Sequence, residues 1–303
     1  MTNTSITTTL ADIATEQKTF AIVAMDQRNT LKRMFHAKGI ADPSHEELVQ
    51  IKADTVQALR GTASGFLLDP TFGIPAVHSL PKEGPSYGVL LAAEPAERGT
   101  INGEPRTHLD PALNAQWVID SGATALKFFV QLRTDRPVVA GEPDTTAEIT
   151  EIVRTVVADC RQAGIPSVIE NLIFPLAGEQ PLSPEKRADA IIEAAVLIND
   201  LKPDLIKIEY PGSPEACRRL AEALNVPWAV LSAGVDFDHF AEVLRICCDE
   251  GGVSGFIAGR SIWKDTVGLS QPDRQTYLAS EGKRRLDNLL QVIDGRATPF
   301  DQI

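Results

Sequence analysis

The chain has 303 residues, 43% hydrophobic and 23% charged, which is enough for one large α/β barrel or two smaller domains, and no break in composition argues for two. With 29 Lys and Arg against 41 Asp and Glu, the formal net charge of −12 argues against a nucleic-acid or anionic-membrane partner. An anionic substrate then needs locally placed cations.

Residues 1–9 are rich in Thr, with neither a basic n-region nor an apolar h-region, so they read as a frayed terminus rather than a secretory signal. Eight short apolar runs follow, with helical segments between them, the alternation expected of parallel βαβ units. In chain order they are residues 20–24, 65–68, 87–91, 125–129, 167–169, 204–208, 228–231 and 255–258. Residues 184–201 and 214–225 carry apolar residues at helical spacing. Residues 132–146 and 174–183, rich in Pro, Gly, Asp and Thr or interrupted by Pro and Gly, read as loops. Eight strands suit one closed (β/α)₈ TIM barrel over residues 1–303 better than a flavodoxin-like sheet, which uses fewer, or a dinucleotide fold, which favours an early Gly-rich turn. No run approaches the roughly 18 apolar residues of a membrane span. Cys160, Cys217, Cys247 and Cys248 lack metal-type spacing and their adjacent pair is a poor disulfide framework, so core positions in a reducing, cytoplasmic setting are expected.

Polar residues stand late in, or just after, almost every expected strand: Asp26-Gln27-Arg28, Asp69, Glu94, Lys127, Glu170-Asn171, Lys207 with Glu209, Ser232-Ala233-Gly234 and Gly259-Arg260. Active sites of such barrels lie at the C-terminal strand ends. Each residue also has a plainer reading. Asp26 and Asp69 suit helix caps, Glu94 suits a solvated loop carboxylate, and Lys127 suits a structural ion pair.

Lys207 is the most informative of them. Side chains alternate along a strand, so with Ile206 and Ile208 facing helices, Leu205, Lys207 and Glu209 point inward. Burial disfavours a charged ammonium and favours the free amine that a Schiff-base enzyme uses as its nucleophile. A lysine snorkelling from the strand end is the plainer alternative. After the last two strands, Ser232, Gly234, Gly259 and Arg260 offer a hydroxyl, close backbone approach and a guanidinium fork, an oxyanion site where barrels of this kind commonly bind phosphate. A metal site needs convergent ligands. His36, His45, His78, His108 and His239 show no HxH or HxxxH spacing and none directly ends a strand, although His78 and His108 could meet from loops.

Residues 24–28, 125–128, 165–170, 204–211, 231–235 and 258–263 resemble the class I aldolases that include the tagatose-1,6-bisphosphate and bacterial sulfofructose-1-phosphate aldolases. The Lys207-Ile208-Glu209-Tyr210-Pro211 and Leu231-Ser232-Ala233-Gly234-Val235 pieces carry most of the likeness, which spans nearly the whole chain. The resemblance implies a (β/α)₈ fold, imine formation on Lys207 and acid/base chemistry by Glu170, with no cofactor and no metal. Asp26 and Lys127 would complete the catalytic cluster; Lys127, if close, would repel a proton from Lys207. Gln27, Arg28, Ser232, Gly234, Gly259 and Arg260 would bind the substrate, a sugar phosphate or sulfo-sugar phosphate, in a homo-oligomer. Residues 130–135, the 170–179 loop and Pro227-Trp228 look closer to the sulfofructose-phosphate enzymes, so cleavage of 6-deoxy-6-sulfofructose 1-phosphate to dihydroxyacetone phosphate and sulfolactaldehyde is expected, with tagatose or fructose 1,6-bisphosphate as alternatives. A non-catalytic sugar-phosphate sensor on the same scaffold is the remaining reading.

Overall fold

A computed structural model describes residues 7–101 and 104–303. Eight parallel strands close into a barrel in strict chain order: β1 (Phe20–Met25), β2 (Gly65–Leu68), β3 (Gly88–Ala92), β4 (Ala125–Val130), β5 (Ser167–Asn171), β6 (Leu205–Ile208), β7 (Trp228–Val230) and β8 (Gly255–Ala258). This is a TIM barrel, and the expected apolar runs match its strands to within about two residues at each end.

The strands are apolar on both faces because helices cover the outside while the inside packs against itself. Ile22, Ala24, Leu67, Leu90, Ala92, Val168, Leu205, Ala229 and Ile257 fill the barrel interior, whereas Ile206 and Ile208 belong to the core between strands and helices. Lys207 therefore has the inward phase expected of it. Asp26, Glu94, Lys127 and Glu170 share the phase of the inner residues on their own strands or strand extensions. Interior side chains below them close the barrel floor, and fully buried Ile13 joins that layer from below.

The outer helices start and stop where the sequence provides caps. Ser183 and Ser213 accept hydrogen bonds from the amides of Lys186 and Ala216, and Pro184 and Pro214 occupy the first helical position of α6 (Pro184–Asp200) and α7 (Pro214–Ala223). Helix α5 (Thr145–Ala163) begins just before the expected 132–146 loop ends. Among the described residues no helix is long and apolar enough to cross a membrane. All four cysteines are buried and free.

The N-terminus departs from expectation in its described part. The Thr8 hydroxyl donates to the Thr124 carbonyl at 2.6 Å and the Thr8 amide donates to Gly164 at 3.0 Å, so this segment is tied beneath the barrel rather than frayed. Residues 1–6 lie outside the described residues.

Candidate active site

Three acidic side chains and two lysines meet at the C-terminal mouth. Lys127 Nζ lies 2.9 Å from Asp26 Oδ2, 2.8 Å from Glu94 Oε1 and 2.7 Å from Glu170 Oε2. The second Glu170 oxygen lies 2.7 Å from Lys207 Nζ. The sheet explains that bridge: Glu170 of β5 and Lys207 of β6 are register partners, so two inward side chains leave adjacent strands at the same height. Lys127 is 1% exposed, Lys207 4% and Glu170 7%.

The electrostatics follow from these contacts. Burial pushes the Lys127 ammonium toward the neutral form, but Asp26, Glu170 and Glu94 together outweigh it and hold its pKa well above the ordinary lysine value. Burial likewise pushes Glu170 and Asp26 up; Lys127 and Lys207 outweigh it, and both carboxyls stay below their usual range. Glu170 thus rests as a carboxylate between two amines. The direct Lys127–Lys207 repulsion expected from the sequence is interrupted by that carboxylate.

Beside this cluster lies a cavity of about 370 Å³, lined by Gln27, Glu170, Lys207, Glu209, Ser232, Gly259 and Arg260 and by the apolar Leu172, Ile173 and Phe174. Arg260 donates to the Ala233 carbonyl at 3.1 Å, across the gap between the ends of β7 and β8. Ala233 and Gly234 both have positive φ, 48° and 85°, and a Cβ at Gly234 would fall 2.6 Å from Arg260 Cζ. Glycine there makes room for the guanidinium. Gly259 has a different reason: a Cβ on it would strike the Ala24 carbonyl, where β8 closes against β1. Trp263 fastens the same seam with a 2.9 Å hydrogen bond to that carbonyl.

Residues 20–265 match the DeoC/LacD family of aldolases. The chain belongs to the DeoC/LacD aldolase family. It is a class I aldolase, a carbon–carbon lyase. It is 26% identical over 310 aligned residues to tagatose 1,6-diphosphate aldolase 2 of Streptococcus pyogenes serotype M1, with 92% of each chain covered. It is 25% identical over 307 to tagatose 1,6-diphosphate aldolase of Lactococcus lactis, again covering 92% of each. The fold resembles that of an archaeal fructose 1,6-bisphosphate aldolase, with TM-score 0.61, 17% identity and coverage of 93% and 96% of the two chains.

In this aldolase the polar strand-end residues divide into two groups. Asp26, Lys127, Glu170, Lys207, Gln27, Ser232, Gly259 and Arg260 surround the mouth or its cavity. Glu94, which suited a solvated loop carboxylate, is instead buried, holding Lys127 with one oxygen and the Phe129 amide with the other at 3.2 Å. Asp26 binds Lys127 and caps no helix. Asp69 also caps no helix: one oxygen accepts from the Thr71 and Phe72 amides ahead of the Gly73–His78 helix, and the other pairs with Lys52. Arg28 donates to the Glu94 carbonyl at 3.0 Å and is not among the residues lining the cavity.

Three basic residues gave no signal in the sequence. Lys52 and Arg187 lie within helical segments whose pattern makes any charged position read as solvated. Arg98 belongs to the loop after β3, where its guanidinium lies 4.7 Å over the Phe129 ring.

Proposed function

We propose that Lys207 forms an imine with C2 of an open-chain ketohexose 1-phosphate and that Glu170 moves the protons. The observation that carries this reading is the Glu170 carboxylate held between Lys127 and Lys207, with Lys207 and Glu170 both lining the cavity. Glu170 takes a proton from Lys207, the free amine attacks C2, and the resulting carbinolamine loses water, with its hydroxyl protonated by Glu170. The cationic iminium then accepts the electron pair of the C3–C4 bond while Glu170 removes the C4 hydroxyl proton. An aldehyde departs. The enamine left behind is protonated at C3 and hydrolysed, releasing dihydroxyacetone phosphate and returning Lys207. Lys127 keeps its charge through the cycle and stabilises oxyanions that develop beside Glu170. Ser232 and Arg260, with the Gly234 turn, hold the C1 phosphate.

For the substrate we take tagatose 1,6-bisphosphate first, a reading supported by relatives named tagatose 1,6-diphosphate aldolases, and fructose 1,6-bisphosphate second. The narrower expectation of 6-deoxy-6-sulfofructose 1-phosphate drew on residues 130–135, the 170–179 loop and Pro227-Trp228, of which only the loop reaches the cavity. Arg133, 1% exposed, is bound by Asp135, Glu179 and the Phe174 carbonyl, and buried Trp228 donates to the Gly251 carbonyl. Neither lines the cavity. Comparing kcat/KM for the three ketose phosphates, with dihydroxyacetone phosphate release as the readout, tests this order. The iminium is the electron sink, so turnover is expected to survive EDTA. A loss restored only by a divalent ion would contradict the mechanism.

A further inference from the structure

A ketohexose with anions at both ends needs two cationic ends to its site, and Ser232 with Arg260 supplies only one. A second arginine borders the same cavity. Arg187 leaves the first turn of α6, the helix following the β5 strand that carries Glu170, and lines the cavity together with Lys207 and Arg260.

Its guanidinium is held but not used up. Nη1 donates to the Ile173 carbonyl at 3.0 Å and Nη2 to Glu209 Oε1 at 2.5 Å, while the Glu209 Oε2 atom accepts from the Ile173 amide at 2.8 Å. A guanidinium has five N–H donors, and the Arg187 side chain remains 38% exposed. The two contacts hold the side chain and leave further donors on a residue that borders the cavity, an arrangement suited to a planar oxyanion contact. Burial raises the Glu209 pKa against the pull of the Ile173 amide and Arg187.

The proposed chemistry supplies the direction. Glu170 acts on the C4 hydroxyl, so the aldehyde half lies toward β5, against the wall formed by Leu172, Ile173, Phe174 and Arg187. Resting on that reading, we infer that Arg187 receives the phosphate or sulfonate of the aldehyde half and sets the preference for ketoses carrying an anion at C6. Arg28 and Arg98, near the mouth, are less suited because neither lines this cavity; Arg28 donates to the Glu94 carbonyl and Arg98 lies over Phe129.

The test compares fructose 1,6-bisphosphate with fructose 1-phosphate, which lacks the C6 anion. Arg187→Met is paired with Arg187→Met/Glu209→Gln, which leaves no buried carboxylate without its partner, and with Arg187→Lys. In the first two, the ratio of kcat/KM for the bisphosphate over the monophosphate should fall about 10–100-fold, the range of a lost charge-assisted hydrogen bond. The loss should be mainly in KM, and Arg187→Lys should recover part of the preference. Equal losses on both substrates would make Arg187 a brace for Glu209 and overturn the inference. So would an unchanged ratio, or a selective loss in Arg28→Met instead. Borohydride trapping of dihydroxyacetone phosphate involves no C6 anion and should persist in every variant. Its absence in the parent protein would remove the Schiff-base reading, and this inference with it.

Discussion

Lys52 and Lys127 are both buried lysines held by carboxylates on the same side of one barrel, and their surroundings send them to different tasks. Lys52, on α2 (His45–Leu59), is 0% exposed, as is its partner Asp69. Its three donors go to Asp69 Oδ1 and to the carbonyls of Met25 and Gln27, and Asp69 spends its other oxygen on two amides. The network is closed. Lys127 also makes three contacts, but all go to carboxylates, and Glu170 passes the network on to Lys207 and the cavity.

The electrostatic signs differ accordingly. Burial lowers the Lys52 pKa despite the pull of Asp69, whereas three carboxylates raise that of Lys127 despite burial. The depth of burial does not separate structure from chemistry here. In the proposed mechanism, the number of carboxylates and an outlet to the cavity do. Lys52 still serves the site indirectly, because its two carbonyl contacts flank Asp26 and pin the turn at the end of β1.

The largest effect that sharpens this contrast is expected on the open network. Glu170→Gln keeps the shape and removes the base, so kcat should fall about 10²–10⁴-fold, with imine formation less impaired than cleavage. Near-normal turnover would make Glu170 a structural partner of two lysines. On the closed network the effect should appear in stability. Lys52→Met leaves Asp69 buried and unpaired, at a cost of about 3–5 kcal/mol in denaturant unfolding. Its kcat, measured on folded protein, should fall far less than that of Glu170→Gln, and adding Asp69→Asn should recover part of the stability. The reverse pattern, stable but inactive, would place Lys52 in the chemistry.

Arg260→Ala should lower kcat/KM for an anionic ketose about 10–100-fold, chiefly through KM. A loss confined to kcat would contradict an anion-binding role. The smallest expected effect is on acid stability. Asp26 and Glu170 have folded pKa values below their unfolded ones, so their contribution is complete above the ordinary carboxylate range of about 4. It is lost as pH falls further, when the unfolded chain binds protons first. Asp26→Asn should therefore show a shallower decline of Tm between about pH 5 and 3 than the parent protein.

Much of this is legible in the sequence. Parallel strands covered on both faces appear as continuous apolar runs; in such a run Lys207 stands out because a period of two assigns it to the inside, and Lys127 and Glu170 stand out as polar residues late in or just after a strand. The Lys127–Glu94 contact was hidden because Glu94 lies in the β3 extension, where no strand pattern fixes its direction. Lys52 and Arg187 were hidden for a related reason. A lysine between Ile51 and Ala53 looks solvated on a helix until the tertiary fold brings Asp69 beneath it, and Arg187 acquires meaning only when Glu209 and the cavity stand beside it. Residues 130–135 were read toward the substrate, whereas Arg133 braces two loops.

The central claim is that Lys207, alone among the lysines, forms the imine. Incubation with dihydroxyacetone phosphate and borohydride, followed by peptide mass spectrometry, tests it most directly. One reduced adduct on Lys207, absent from Lys207→Ala and present in Lys52→Met, is the predicted result. An adduct that persists in Lys207→Ala on another lysine, or no adduct in an actively cleaving enzyme, would contradict it.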